Sequence, residues 1–343
     1  MSNERTEISS LGEFGLIEHL TKNIELQNAS SLLGVGDDAA VIDHFGKQTV
    51  VTTDLLVEGV HFDLTYTPLK HLGYKSVIVN LSDIYAMNAI PTQIVISIGI
   101  SNRFSVEAVN EIYEGIYAAC NKYGVDLVGG DTTSSQKGLI ISITAIGEVA
   151  PDQFVKRSTA KKGDLLCVSG DLGGAYIGLL FLEREKKIFM ESPGVQPDLE
   201  GEAYVVGKLL KPEARKDIVE FLAKENIQPT AMMDISDGLS SEILHICKQS
   251  NLGCVLYEDK IPIADATRNA AFKFELDPTA CALSGGEDYE LLFTIPQFEY
   301  DKLVLNEQIS VVGYMTEPEQ GTYIITKGGN KHAITAQGWN HMK

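Results

Sequence analysis

Positive charge is scarce in this chain of 343 residues: 28 Lys and Arg stand against 47 Asp and Glu, a formal net charge of −19. Duplex-binding proteins need a basic face for phosphate contacts, and anionic lipid attracts the same kind of patch, so both partner classes are disfavoured. Tryptophan occurs once, at Trp339. The cysteines Cys120, Cys167, Cys247, Cys254 and Cys281 form no CxxC pair and sit mostly among apolar neighbours. Buried free thiols are expected, and a zinc site is not. A long apolar run is missing too. Residues 84–102 carry no charge, yet Asn88, Pro91, Gln93 and Asn102 interrupt them, so they read as a helix end and a buried strand. The opening MSNERTEISS lacks the apolar core of a secretion signal, which leads us to expect a soluble, reducing, cytoplasmic setting. Acidic excess names no partner, but it makes bound cations worth looking for.

What is present is an ordinary folded composition, 44% hydrophobic and 22% charged, at a length that suggests two domains. Strand-like and helical patterns alternate. Leu11 to Ile24 is amphipathic, Thr49 to Thr53 reads as a strand ending at Asp54, and Thr67-Pro68 reads as the start of a helix to about Met87. Thr92 to Ile100 is strand-like, Ser105 to Tyr123 a helix closed by Gly124, Asp126 to Val128 a short strand, and Leu139 to Val149 another. A boundary falls near Ala150-Pro151. Beyond it, strands are expected at Leu165 to Val168, Thr230 to Met233, near Cys254, at Tyr289 to Ile295 and at Val311 to Tyr314. Helices are expected from Leu172 and over Gly238 to Gln249. The fold class is α/β or α+β in two domains, residues 1–150 and 151–343.

The informative signal is where the acids fall. GVGDDAAV places Asp37 and Asp38, VVTTD places Asp54, DLVGGD places Asp131 and AMMDISDG places Asp234 and Asp237, each after glycine or at an expected strand end. Strand carboxyl ends form the ligand-binding rim of α/β folds. Asp83, between Leu81 and Ile84 on an apolar helix, is costly to bury unless it is paired or binds metal. Singly, each acid has a plainer reading: Asp237 can cap the next helix, Asp37-Asp38 can be a turn, and Asp131 can cap one. Their concurrence is harder to explain that way, and hard oxygen ligands of this kind suit Mg²⁺ or Mn²⁺.

Competing motifs fail. GVGDDA imitates a dinucleotide-binding GxGxxA, but its aspartates would repel a pyrophosphate; no GxxxxGK[ST] exists, and DISDGL lacks the acids of a Ca²⁺ loop. Mg²⁺ carboxylates without a P-loop still imply phosphate chemistry. The basic stretch VKRSTAKKGD, with Lys156, Arg157, Lys161 and Lys162, is either a solvated linker or a source of phosphate contacts, Arg157 first among them.

Taken in order, GVGDDAAV, TTDLLVEGVHF, NLSDIYAMNAIP, GGDTT, SGDLG, MDISDGL and LSGGEDYELLFT closely resemble the bacterial thiamine-monophosphate kinases, in the superfamily named after aminoimidazole-ribonucleotide synthetase. The resemblance implies ATP-dependent phosphorylation of thiamine monophosphate to thiamine diphosphate. It implies an N-terminal α/β domain whose sheet pairs across a homodimer, and a C-terminal α/β domain covering the cleft. By motif position, Asp38, Thr52, Thr53, Asp54, Asp83, Asp131, Asp234 and Asp237 resemble magnesium ligands. Gly130, Asp131, Arg157 and Ser236 resemble ATP-site residues, and His61, Glu287 and Trp339 resemble residues at the thiamine end. Tyr85 and Asn88 stand where relatives carry alanine and glycine, which bears on local helix packing and the nucleotide pocket.

Elementary chemistry agrees with that assignment. A phosphate monoester acceptor is largely ionised at pH 7, so no general base is needed and none is evident. The obstacle is repulsion between two anions, which several Mg²⁺ ions can neutralise. Other superfamily enzymes fit less well. A selenophosphate synthetase would carry a reactive cysteine near its start, whereas the first here is Cys120, and a carbamoyl dehydratase would end in cysteine, whereas Lys343 ends this chain. Aminoimidazole-ribonucleotide synthetase itself lacks the pairing of TTDLLVEGVHF with MDISDGL. A non-catalytic thiamine-phosphate-binding protein would bind without consuming ATP.

Overall fold

The computed structural model describes residues 31–33, 36–44, 46–101 and 103–335. The amphipathic Leu11 to Ile24 segment and Trp339 lie outside them. The first half contains β1 (Ser31–Leu33), β2 (Ala40–His44), β3 (Lys47–Val57), α1 (Leu69–Ala86), β4 (Ile90–Ile100), α2 (Val106–Tyr123), β5 (Asp126–Ser134) and β6 (Ile140–Val149). Its six strands run in the order β1-β2-β3-β6-β4-β5, antiparallel except for the β4–β5 pair.

The second half contains β7 (Leu165–Ser169), α3 (Gly174–Glu191), α4 (Ala203–Leu210), α5 (Lys216–Lys224), β8 (Ala231–Ile235), α6 (Leu239–Ser250) and β9 (Gly253–Tyr257). After these come α7 (Asp265–Phe272), α8 (Pro278–Ser284), β10 (Glu290–Ile295), α9 (Tyr300–Leu303), β11 (Ile309–Thr316), β12 (Thr322–Ile325) and β13 (Lys331–Ala333). Its sheet runs β13-β12-β9-β11-β7-β10-β8, with only β9–β12 parallel. The chain is therefore a two-domain α/β protein with two mixed sheets. The five cysteines are free and buried, as expected, and no helix among the described residues is long and apolar enough to cross a membrane.

The central element is α1. Its sequence, LKHLGYKSVIVNLSDIYA, is apolar on nearly every side, and 14 of its 18 residues are buried. A helix of that kind must be covered all round. One continuous core joins Leu81 and Ile84 of α1 to Ile141 and Ile143 of the first sheet and to Met232, Leu291 and Phe293 of the second. On a third side lies α2, which Ser105 opens by accepting the Ala108 N–H (3.3 Å) and Gly124 closes at φ 72°. The α1–α2 crossing is a main-chain contact: a Cβ on Gly73 would lie 1.9 Å from the Ile112 carbonyl oxygen, and one on Gly115 would lie 1.9 Å from that of Lys70.

Several sequence expectations need correction. Thr67 does not cap α1; the helix starts at Leu69 with Pro68 as its N-cap, and no side chain caps it. Asp54 does not end its strand. Pairing with β6 continues from Gln48 to Val57, so Asp54 lies inside β3. Likewise β5 continues from Asp126 to Ser134 because β4 pairs with it throughout, which leaves Asp131 inside a strand. Tyr85, near the end of α1, is fully buried with its ring 6.3 Å from that of Tyr123. Asn88 turns the chain at φ 58°, a left-handed conformation that asparagine tolerates better than most residues.

The helix crossing can be tested directly. Gly115→Ala must push α1 from α2 and should lower stability by about 1–3 kcal/mol. Gly207→Ala, in α4 with open space around it, should be neutral or stabilising by up to about 1 kcal/mol. Urea unfolding of both variants checks the contrast, and equal midpoints would refute the close-contact account.

Candidate active site

The carboxylates of Asp38, Asp83 and Asp234 converge so that one oxygen of each lies within 4.8 Å of the others. Three elements supply them: the turn before β2, α1, and the end of β8. Each is held by a neighbour. Thr52 Oγ1 donates to Asp83 Oδ2 at 2.6 Å, and Ser82 Oγ donates to Asp234 Oδ2 at 2.8 Å. Asp54 joins from β3, where its backbone N–H donates to Asn80 Oδ1 of α1 at 3.0 Å. Strand alternation turns Thr52 and Asp54 toward α1. It turns Thr53 to the outward face, where Thr144 Oγ1 donates to the Thr53 hydroxyl at 3.1 Å.

Burial and mutual repulsion act together on these acids. Burial, then the Asp38 charge, pushes Asp54 up to about 6 and Asp234 up to about 8. Asp83 is raised well above the carboxylate range by burial and by Asp54, Asp234 and Asp38. Asp37 is raised to about 7 by burial and Asp38, against the opposing pull of Arg157. The Arg157 guanidinium forks onto both Asp38 oxygens, with Nε donating at 2.7 Å, while its backbone N–H donates to Asp37 Oδ2 at 3.1 Å. Arg157 thus touches the acids themselves and supplies the cation nearest them.

The other candidates divide into groups. Ser236 follows β8, and its carbonyl accepts the Glu287 N–H at 2.7 Å. Asp237 donates its backbone N–H to Glu242 Oε1 at 2.9 Å. His61 accepts the Val57 N–H on Nδ1 at 3.0 Å, so in the neutral ring the proton sits on Nε2. Glu287 receives the Lys75 ammonium at 2.6 Å. Gly130 has no room for a Cβ, which would lie 2.1 Å from the Ile96 carbonyl oxygen. Asp131 is not brought to the cluster. It pairs in register with exposed Ser97 and lines an open depression with Leu55, Lys137 and Ser142 on the outward face.

The strand-end rule does not describe this site. Asp54 and Asp131 lie within strands, Asp38 precedes one, and the first sheet is mostly antiparallel, so no common carboxyl rim exists. Sequence reasoning also missed Lys75, Asn80 and Ser82, three buried polar residues among the apolar ones of α1. It missed Glu242 as well, which is 1% exposed on the Leu239–Ile243–Ile246 side of α6. Burial and Asp237 raise the Glu242 carboxyl well above its usual value, and its Oε2 has no hydrogen-bond partner. In each case the available signal was a polar residue on an apolar helical face.

Residues 36–149 match the AIR synthase related protein, N-terminal domain, and residues 161–325 match the C-terminal domain of the same family. A thiamine-monophosphate kinase from Aquifex aeolicus (strain VF5) is 33% identical over 335 residues, 98% of this chain and 99% of the relative. One from Buchnera aphidicola subsp. Schizaphis graminum (strain Sg) is 36% identical, over 96% and 98% of the two chains. The solved structure of AaThiL complexed with AMPPCP and TMP superimposes with a TM-score of 0.83 at 32% identity, over 99% of this chain and 100% of that one. With two domains matched in order and full-length relatives above 30% identity, the chain belongs to the thiamine-monophosphate kinase family of AIR synthase related proteins.

Proposed function

We propose that the protein transfers the γ-phosphoryl group of ATP directly to thiamine monophosphate, yielding thiamine diphosphate and ADP, with Mg²⁺ assistance. The observation that carries the proposal is the convergence of Asp38, Asp83 and Asp234, contributed by both halves of the chain, on one point. The full-length likeness to AaThiL, solved with AMPPCP and TMP, supports the choice of substrates.

The donor set fits magnesium: three carboxylates and the Thr52 hydroxyl are hard oxygen donors, with no sulfur or imidazole among them. Asp38, Asp83 and Asp234 would hold the first ion, with Thr52, Asp54 and Asp237 as further ligand candidates; Thr53 and Asp131, on the outward face, would serve only an ion bound on that side. Bound there, Mg²⁺ supplies charge neutralisation for two phosphates that otherwise repel. The remaining work belongs to the chain. Thr52, Ser82 and Asn80 orient the acids before substrate arrives, and burial keeps water from competing for them. Gly130, Asp131, Arg157 and Ser236 serve the nucleotide, with Arg157 able to exchange Asp38 for a phosphate. His61, Glu287 and Trp339 serve the thiamine end. An ionised phosphate acceptor needs no base, so no residue is assigned proton abstraction.

We place the domain division at residue 150, the first half binding metal and nucleotide and the second, residues 151–343, completing the site. The first sheet exposes Leu55 on β3 and Val128 on β5, 53% and 59% exposed, and β5 is its open edge strand. That combination supports sheet pairing in a homodimer. A cytoplasmic location, where ATP and Mg²⁺ are at hand, is part of the same proposal.

Purified protein given ATP, Mg²⁺ and thiamine monophosphate should form thiamine diphosphate and ADP in equal amounts, and EDTA should stop both. ADP without thiamine diphosphate would move the search to another acceptor. Asp54→Asn, Asp83→Asn and Asp131→Asn should each cut turnover by at least about 100-fold. For Asp83→Asn the thermal midpoint in EDTA should hold, because a neutral amide replaces a carboxyl that burial and its acidic neighbours already favour in the protonated form. Near-wild-type turnover in all three would sink the metal assignment.

Stability should also depend on pH with a definite sign. Asp54 and Asp234 keep protons up to about 6 and about 8, whereas an ordinary aspartate loses its proton near 3.8. Without divalent cations, stability should therefore fall as pH rises from about 4 to about 8. Mg²⁺ competes with those protons, so it should raise the midpoint more at pH 8 than at pH 5.5. Thermal unfolding with Mg²⁺ or EDTA at several pH values decides the point; a gain independent of pH would contradict it.

A further inference from the structure

Lys75 is a charged residue in the interior of α1, 4% exposed, two turns before the aspartate that helix gives to the cluster. Burying an ammonium costs several kcal/mol unless it is paired. Its partner is Glu287 Oε2, at 2.6 Å, 212 positions away in the second half of the chain. Glu287 is itself held unusually. Its φ is +66°, in the left-handed region that a glutamate enters at a cost of order 1 kcal/mol. The two glycines before it have no room for side chains: a Cβ on Gly286 would lie 2.4 Å from the Ser236 carbonyl oxygen, and one on Gly285 would lie 2.5 Å from Tyr176 Cβ. Two backbone bonds, Glu287 N–H to Ser236 and Tyr289 N–H to Ile235, at 2.7 and 2.9 Å, stitch the loop to the end of β8. A loop so constrained holds its carboxylate in one place.

We infer that Lys75 is a positioning residue for the non-reacting end of the substrate, fixing through Glu287 where the aminopyrimidine sits relative to the carboxylate cluster. Lys75 and Asp83 are eight residues apart on one helix, about 12 Å of rise. That rigid span sets the distance between the point where phosphates meet the cluster and the point where Glu287 meets the far end of the molecule. The ammonium engages Oε2, which leaves Oε1 as an acceptor for an exocyclic amine. This inference rests on the kinase reading above and on Glu287 serving the thiamine end.

The test is steady-state kinetics on full-length wild type, Lys75→Met, Glu287→Gln and the double variant, varying thiamine monophosphate and ATP separately. Lys75→Met should raise KM for thiamine monophosphate about tenfold, the loss of roughly one charge-assisted hydrogen bond, and leave KM for ATP within about twofold. The double variant should be no worse than the more impaired single one, because both changes remove one interaction. Lys75→Arg keeps the charge without the point geometry and should give an intermediate rise in the same constant; it carries the test if the methionine variant does not fold. A rise in KM for ATP would make Lys75 a nucleotide contact and overturn the inference. So would a loss confined to kcat, or losses that add in the double variant. Wild type inactive on thiamine monophosphate would overturn the kinase reading and this inference together, whereas active wild type with an unchanged KM in Lys75→Met would overturn this inference alone.

Discussion

Three carboxylates that repel one another are held together in the middle of this protein. At 4.8 Å and an effective dielectric near 20, each ionised pair costs roughly 3 kcal/mol. Three such pairs approach the whole net stability of an ordinary domain. The structure meets that cost locally, with the Thr52 and Ser82 hydroxyls, with proton retention at Asp234 and Asp83, and with the Arg157 fork on Asp38. It also meets it globally, by burying α1 between two sheets. No single element could carry the cluster: Asp83 needs the apolar cover of both halves, and Asp234 reaches it only because β8 packs against α1.

Much of this was legible in the sequence, and the residues show why. Asp38, Asp83 and Asp234 each interrupt an apolar or glycine-rich run, a local signal. The caps of α2 are local too, Ser105 at one end and Gly124 at the other. Strand lengths were less legible because they depend on the partner: nothing within VVTTDLLV says that β6 pairs as far as Val57. The faces of β3 follow from alternation, yet Thr52, Thr53 and Asp54 were grouped by motif, and the strand sends Thr53 the other way.

Lys75, Asn80 and Ser82 went unnoticed for a related reason. On a helix covered from one side they would be ordinary solvated residues. They become informative only once a second sheet covers α1, and that packing joins segments more than 150 residues apart, as the Ser82–Asp234 bond does. Asn88 is the opposite case: the turn itself explains it, since the position needs a left-handed residue and asparagine tolerates that conformation.

The glycine contact between α1 and α2 has a consequence for how such a protein can change over time. Gly73 and Gly115 bring the two helices together main chain against main chain, so side-chain size nearby does not set their spacing. Side chains around the crossing can change size without moving the helix that carries Asp83. The placement of that helix is thereby insulated from gradual change in the core, and exposed to abrupt change at two positions.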